Sequence, residues 1–388
     1  MKVGKGDSPQ YALDRLDPSR ITFARELRGL TKKELAESIN KTPSAISQIE
    51  RGLINPDLET FVSMSFVLKV PPSFFIEKKN QSKHIEVASC HFRSIRSTSQ
   101  SMRRQSARKG DLYIDFIELL ESKGLLFPKE EVSDFSVSAE TDEEIERAAI
   151  ALRRNWNMGL GPIPDIIKLV ESKGVVVLPL EEVCNKVDAY STWRGRRPCI
   201  LLSQTKSASR VRFDVSHELG HLVLHEDTAV GEARTERQAN RFAGAFLAPR
   251  ESFIEECPRR WNFRAFNQMK FRWRMSIQAL LYRAKDLGCI SQSTHQRAMM
   301  QLSSAGMRKN EGKEWEMEKP VLVAQALELL IDRVTLNELA DEMSLFPNKL
   351  RDMLSQCVPK ETLDKIDRKP EPNSARIVQL LKPKKDLV

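Results

Sequence analysis

The sequence predicts a mainly α-helical protein that contains one α+β domain with a small sheet. Apolar residues recur at helical spacing through most of the chain, whereas strand-like runs are confined to residues 175–202. A length of 388 residues favours two or three domains rather than one. We therefore expect helical regions on both sides of a short stretch of strands.

The composition narrows the class of protein. A formal net charge of +9 and a pI near 9.2 favour contact with a polyanion, although they do not separate DNA from RNA or from an acidic partner. The sequence has no apolar run of membrane-spanning length and no signal-peptide h-region, so we expect a cytoplasmic protein without membrane contact. Its six cysteines lack paired spacing and are expected to be reduced thiols.

The first structured region follows a loose N-terminal arm over residues 1–17. It contains a first helix that includes Ile21 and Leu27, and then two short helices joined by a polar turn. Thr31 and Glu34 form a capping-box pattern that opens one helix, and Pro43 opens the next. The apolar residues of that next helix must face the core. Its remaining side chains form a polar row of the kind that reads base edges and contacts phosphates in a major groove: Ser44, Ser47, Gln48 and Arg51.

The run Ile46-Ser47-Gln48-Ile49-Glu50-Arg51-Gly52, with Ala36 in the preceding helix, resembles the XRE (lambda-repressor-like) helix-turn-helix family. The resemblance implies a helix-turn-helix bundle over residues 18–77 that binds duplex operator DNA. A plain five-helix bundle without a DNA role is the alternative.

A basic segment and a linker helix are expected over residues 78–135. Residues 91–110 contain six basic and no acidic side chains. Such a run is either a solvated face or an additional set of phosphate contacts, and the sequence leaves both open. The linker helix is predicted from Tyr113 to Leu126.

The next domain, predicted over residues 136–305, is organised around His217-Glu218-Leu219-Gly220-His221, an H-E-x-x-H pattern. On a helix, His217 and His221 lie one turn apart and nearly eclipsed, so both imidazoles can reach one metal ion. Glu218 lies beside that pair. This position suits a carboxylate that does not bind the ion but takes a proton from the attacking water.

A second amphipathic helix follows, and Glu236 lies at the start of its apolar stripe. An inward-pointing carboxylate is costly unless a cation meets it, and the two histidines of the first helix would supply the ion. His217, His221 and Glu236 with one water form a catalytic zinc set, so we expect Zn²⁺. Asn240, one turn further on, is a candidate to hydrogen-bond one of these ligands from behind.

The pattern His217-Glu218-Leu219-Gly220-His221, followed by Glu236-x-x-Ala239-Asn240-x-Phe242-Ala243 and Leu247-x-Pro249, resembles the ImmA/IrrE family of metallopeptidases. The resemblance implies an α+β zincin-like metallopeptidase domain. It also implies that His217, His221 and Glu236 bind zinc, that Glu218 is the general base, and that the substrate is a protein such as a repressor.

Three further positions stay open. His225 is a metal ligand, a transition-state donor or a cation at a helix C-terminus. Tyr190 is a candidate oxyanion donor, although the sequence does not fix its distance from the metal. Residues 199–202 are a candidate strand for pairing with an extended substrate, with a purely structural strand as the stronger alternative.

Residues 306–388 are predicted to form a helical C-terminal region with a flexible tail. Within it, residues 335–354 align without a gap on residues 31–50, with five of twenty positions identical. A second helix-turn-helix-like unit is one interpretation, and a coincidence of two capped helices is the other.

Two functional hypotheses compete. In the first, a zinc endopeptidase carries a DNA-binding module that places it at a promoter, where it cuts a repressor or another regulatory protein. In the second, the chain is a transcription regulator or an antitoxin whose metal site is structural or ligand-sensing, and Glu218 is dispensable. The first is favoured because a structural zinc site usually closes all four positions and needs no carboxylate beside its first histidine. The oligomeric state is left open, with a homodimer as one option.

Overall fold

The computed structural model describes residues 8–76, 84–85, 91–92, 99–133, 139–180, 189–203, 205–225, 233–308, 310–367 and 378–379. Within these residues, helices dominate and strands are few, which confirms the predicted fold class. None of the described helices combines the length and the apolar character needed to cross a membrane. Internal contacts divide the chain into two units, one of residues 1–88, 96–127 and 321–380, the other of residues 89–95, 128–320 and 381–388.

The described helices are α1 (Pro9–Leu13), α2 (Pro18–Leu27), α3 (Lys32–Ser38), α4 (Pro43–Glu50), α5 (Leu58–Leu68), α6 (Gln100–Ser122), α7 (Asp142–Asn155), α8 (Ile166–Ser172), α9 (Ala208–Leu224), α10 (Ala233–Leu247), α11 (Arg250–Glu256), α12 (Phe263–Trp273), α13 (Ile277–Asp286), α14 (Gln292–Ser304), α15 (Leu322–Glu328), α16 (Leu336–Met343), α17 (Pro347–Leu354) and α18 (Lys360–Ile366). The strands are β1 (His91–Phe92), β2 (Leu125–Leu126), β3 (Val176–Leu180), β4 (Ala189–Arg194), β5 (Arg197–Ser203) and β6 (Val378–Gln379).

The first unit begins earlier than the sequence suggests. The expectation of a loose arm is wrong for residues 8–17, because α1 forms there and Leu16 pairs with Ile76 in a β-bridge. Ala12 is fully buried, which anchors this short helix. Residues 1–7 lie outside the described part of the chain.

The helix pair α3–α4 is built by local capping. Thr31 and Glu34 form the predicted capping box at the start of α3. Asn40 adopts the left-handed conformation (φ 53°) in the turn, and Thr42 accepts a hydrogen bond from the Ala45 amide at 3.2 Å to open α4. At the end of α4 the buried Glu50 carboxylate accepts two hydrogen bonds from Arg25 of α2, at 2.5 and 3.1 Å. These contacts fix the outward face of α4.

The linker helix α6 starts at Gln100, well before the predicted Tyr113. Ser99 caps it, and two of its basic residues, Arg108 and Lys109, are buried. Arg108 pairs with Glu26 of α2 at 3.4 Å and with Asp111 at 2.9 Å. Arg108 is therefore neither part of a solvated face nor available for phosphate contacts.

The aligned C-terminal residues repeat the local structure of α3–α4. Thr335 forms a capping box at the start of α16, as Thr31 does for α3. Ser344 adopts the left-handed conformation (φ 55°) at the position that aligns with Asn40, and Pro347 opens α17 as Pro43 opens α4. The resemblance thus extends from the sequence to the caps and the turn.

The second unit contains a four-stranded sheet of order β1-β4-β5-β3. β5 runs antiparallel to β4 and parallel to β3, and α9 packs on both β4 and β5. The suggestion that residues 199–202 pair with substrate is wrong, because β5 already has a hydrogen-bonded neighbour on each side. An incoming strand would find no free edge there.

Two glutamates that follow α14 contact the N-terminal turns of α9 and α8. Glu314 accepts hydrogen bonds from the Ser209 amide and hydroxyl at 2.9 and 2.6 Å, at the N-terminus of α9. Glu318 accepts from the Ile166 amide at 2.8 Å, at the N-terminus of α8, and pairs with Arg212 of α9. Carboxylates stabilise helix N-termini by satisfying the free amides and the helix dipole. The irregular stretch 310–320 therefore fixes the helix that carries the H-E-x-x-H pattern.

Candidate metal centre and nucleic-acid interface

The helices α9 and α10 approach each other closely at Gly220. A Cβ atom at this position would lie 3.0 Å from the Phe242 ring and 3.3 Å from the Cα of Ala239. Glycine is therefore needed within the H-E-x-x-H pattern for packing, not for turn geometry. The close contact brings Glu236 of α10 onto His217 and His221 of α9.

The three predicted metal ligands converge. The Nε2 atoms of His217 and His221 are 3.1 Å apart, and the Glu236 carboxylate oxygens lie 3.5 and 3.4 Å from them. A tetrahedral ion with ligands at about 2.1 Å requires ligand atoms about 3.4 Å apart. The observed separations fit that requirement, and both histidines are buried while Glu236 is partly exposed.

Hydrogen bonds on the far side of His217 fix its tautomer. The Asn240 amide nitrogen donates to the Glu236 carbonyl at 2.8 Å, so the Asn240 amide oxygen is the atom that faces His217. That oxygen lies 3.1 Å from His217 Nδ1, which must therefore carry the proton. The lone pair of His217 Nε2 then points toward Glu236.

A longer chain of hydrogen bonds fixes His221. The Gln238 amide nitrogen donates a hydrogen bond to the Ala139 carbonyl at 2.9 Å. The Gln238 amide oxygen therefore accepts a hydrogen bond from His225 Nε2, also at 2.9 Å. The Nδ1 atom of His225 is then an acceptor, and it lies 3.0 Å from Nδ1 of His221. His221 accordingly donates from Nδ1 and keeps a lone pair on Nε2.

The protonation states of the histidines and the charge of Glu236 favour a bound cation. Burial lowers the pKa of His221 to about 3 and lowers that of His225, so both imidazoles are neutral. Two imidazole lone pairs and a carboxylate therefore face one point, an arrangement that repels itself unless a positive charge lies between them.

Glu218 lies on α9 next to His217 but faces the sheet. It is fully buried, and its Oε2 atom accepts a hydrogen bond from the Ser191 hydroxyl of β4 at 2.7 Å. A hydroxyl that donates to a carboxylate stabilises its charged form and restricts its rotation. The carboxylate is thus held in place by a residue that the sequence reasoning did not select.

The other candidates occupy different positions. Tyr190 precedes Ser191 in β4, and because side chains alternate along a strand it points to the face of the sheet away from α9. It is not brought to the His–Glu cluster. His225 ends α9 and lies behind His221, with both ring nitrogens directed to other partners. The structure therefore groups it with Asn240 and Gln238 as a residue that orients a ligand.

A cavity of about 1330 Å³ lies near the cluster, although its wall includes none of His217, Glu218, His221 and Glu236. Its wall includes Phe213 of α9, one turn before His217, and Asn240 of α10, which hydrogen-bonds His217. The side chains of Arg210 and Arg237 also line it. Small-molecule pockets measure roughly 300–1,000 Å³, so this cavity has room for a longer ligand.

In the first unit, the four residues predicted to read DNA lie on the outer side of α4. Ser44 and Arg51 are exposed and Ser47 and Gln48 partly exposed, while the apolar side of the helix is buried. Ser47 accepts a hydrogen bond from Lys32 of α3 at 3.1 Å. Lys32 adds a positive charge to this face that the sequence reasoning did not include.

Two family models match the chain, one over the helix-turn-helix region and one over the region that contains the His–Glu cluster. Residues 22–75 match the family described as helix-turn-helix, and residues 170–285 match a peptidase family described as IrrE N-terminal-like domain. No curated protein matches the sequence. The chain thus combines an XRE-type helix-turn-helix, which supports a DNA-binding regulator, with an ImmA/IrrE-like peptidase-family domain, as the sequence resemblances predicted.

Proposed function

We propose that this protein is a DNA-binding transcription regulator whose second domain is a zinc-dependent endopeptidase that cleaves a repressor or another regulatory protein. The observation that carries the proposal is the convergence of His217, His221 and Glu236 at tetrahedral spacing with Glu218 buried beside them. The test is to express the parent chain and the Glu218→Gln chain in two separate populations of the same cell type and to compare the new protein N-termini that form in each.

The side chains present fit a zinc ion held by two imidazole nitrogens and one carboxylate. When bound, zinc would supply Lewis-acid polarisation of the substrate carbonyl and would make water easier to ionise. Asn240 orients His217, and His225 orients His221 with support from Gln238. Among the described residues, three side chains converge, so a zinc ion held by them would keep one coordination position for substrate or water.

Glu218 supplies the proton transfer. Its carboxylate accepts the proton that the attacking water loses, and it then delivers that proton to the amine that leaves the broken peptide bond. The Ser191 hydroxyl holds the carboxylate during both transfers. A purely structural or ligand-sensing metal site is the second candidate function, but it gives no role to this buried and oriented carboxylate.

Ser191→Ala is expected to lower kcat about 10- to 100-fold with little change in KM, because it leaves the substrate contacts in place and removes the group that positions Glu218. Ser191→Thr, which retains the hydroxyl, should restore part of the loss. The measurement is a steady-state rate series on a purified cognate substrate. Equal losses for the alanine and threonine variants would point to packing instead of hydrogen bonding.

The outer face of α4 is the proposed DNA-reading surface, with Ser44, Ser47 and Gln48 toward the bases and Arg51 near a phosphate. Base contacts are worth about 1–3 kcal/mol each, so Ser44→Ala combined with Gln48→Ala should weaken operator binding about 30-fold or more. Fluorescence anisotropy with a duplex from the protein's own upstream region measures this.

A matched control for the DNA experiment is Ser63→Ala on α5, which changes a partly exposed serine outside the proposed surface. It should bind like the parent. If the α4 double variant also retained full affinity, the contacts would have to be placed on another face of the bundle.

The second helix pair, α16–α17, is not proposed to bind DNA. Arg351, which aligns with Ser47, forms ion pairs with Asp364 and Asp367 of the following helix region. Asp352 stands where Gln48 stands in the first pair and is exposed. A neutralised arginine and an exposed carboxylate oppose approach to a phosphate backbone. The pair α16–α17 therefore has the local structure of a DNA-reading helix pair but lacks the exposed positive charge.

A further inference from the structure

The strand that contacts the proposed general base, β4, lies between β5 and the two-residue strand β1. β4 pairs with β5 along one edge, and its residue Ser191 hydrogen-bonds Glu218. An edge strand presents backbone N–H and C=O groups that an extended polypeptide can pair with. The opposite edge of the sheet belongs to β3, which is separated from β4 by β5. The β4 edge is therefore the one nearest Glu218.

This edge is paired with another part of the same chain. β1 runs antiparallel to β4, with His91 opposite Ser191 and Phe92 opposite Tyr190. The pairing thus falls at the residue that holds Glu218. β1 is grouped with the second unit, whereas the chain up to residue 88 and from residue 96 to residue 127 is grouped with the first. A short segment between two parts of the first unit therefore supplies a strand to the second.

We propose that residues 91–92 are an internal competitor, which occupies the outer side of β4 and must leave it before the extended backbone of a substrate can pair there. The proposal rests on the proposed peptidase function and specifies how access of its substrate is restricted. A substrate segment and β1 cannot pair with the same side of Tyr190 and Ser191 at once. A two-residue strand forms few ladder hydrogen bonds, so a longer segment can displace it.

The experiment compares two double variants in the full-length Glu218→Gln chain. His91→Pro with Phe92→Pro removes both backbone N–H groups of β1, whereas His91→Ala with Phe92→Ala keeps them. Hydrogen–deuterium exchange is followed for residues 189–194. Binding of a fluorescein-labelled synthetic peptide with the sequence of residues 86–97 is measured by anisotropy.

The proline variant should exchange faster than the alanine variant at the β4 amides that face β1, while amides that face β5 stay protected. It should also bind the peptide about tenfold tighter than the alanine variant, and the peptide should restore protection. Equal exchange in both variants would show that residues 91–92 do not hold this edge. Faster exchange without peptide binding would show that the freed edge does not dock a strand. Neither readout includes cleavage, so a failure of the peptidase proposal would leave both unchanged.

Discussion

Replacing Glu218 by glutamine is expected to lower the rate of peptide-bond cleavage about 10²–10⁴-fold while zinc content and fold are retained. Glutamine keeps the size of the side chain and can still accept a hydrogen bond from Ser191 through its amide oxygen. What it loses is the ability to take a proton from the attacking water. Cleavage rates of purified parent and variant, measured at matched zinc occupancy, test this.

Glu143→Gln is the matched control for this substitution, because Glu143 is an exposed residue in the first turn of α7. It should cleave at the parental rate. A parental rate for Glu218→Gln as well would remove Glu218 from the chemistry and favour a regulator with a structural or ligand-sensing metal.

Glu236→Ala should reduce bound zinc from about one ion per chain to a small fraction of that after dialysis. The substitution removes one of three converging ligand atoms and the only carboxylate among them, leaving two imidazoles. Outer hydrogen-bond partners alone affect metal affinity about 10- to 100-fold, so loss of a direct ligand should exceed that. Metal analysis by mass spectrometry, with thermal melting to confirm the fold, measures the outcome.

Arg237→Ala provides the comparison on the same helix, since Arg237 is exposed and is not among the converging ligands. Its zinc content should equal that of the parent. Undiminished zinc in Glu236→Ala would exclude Glu236 as a ligand and would require His225 to turn away from Gln238 to replace it.

The metal ligands could be predicted because helical periodicity decides their geometry. Residues four apart on one helix face the same side, and an acidic residue at the start of an apolar stripe must meet a cation. The capping boxes at Thr31 and Thr335 were visible for a similar reason, since a cap depends on residues three apart. Each of these features lies within one short segment.

Contacts between distant segments were not visible in the sequence. Strand alternation places Ser191 on one face of β4, but it does not say that Glu218 lies opposite. Pairing of β1 with β4 joins residues about a hundred positions apart, and no local pattern marks a two-residue strand. The early start of α6 was missed because its basic side chains resemble a solvated run until Glu26 and Asp111 are seen to neutralise Arg108.

The most direct test compares the protein N-termini of two cell populations, one expressing the parent chain and the other expressing Glu218→Gln, with zinc occupancy confirmed in both. The substrate does not have to be identified before this comparison is made. An active endopeptidase predicts at least one new N-terminus, within a DNA-binding regulatory protein, that appears with the parent and is absent with the variant. Identical sets of N-termini, together with equal control of transcription by the two chains, would contradict the enzymatic account and leave the helix-turn-helix as the functional part.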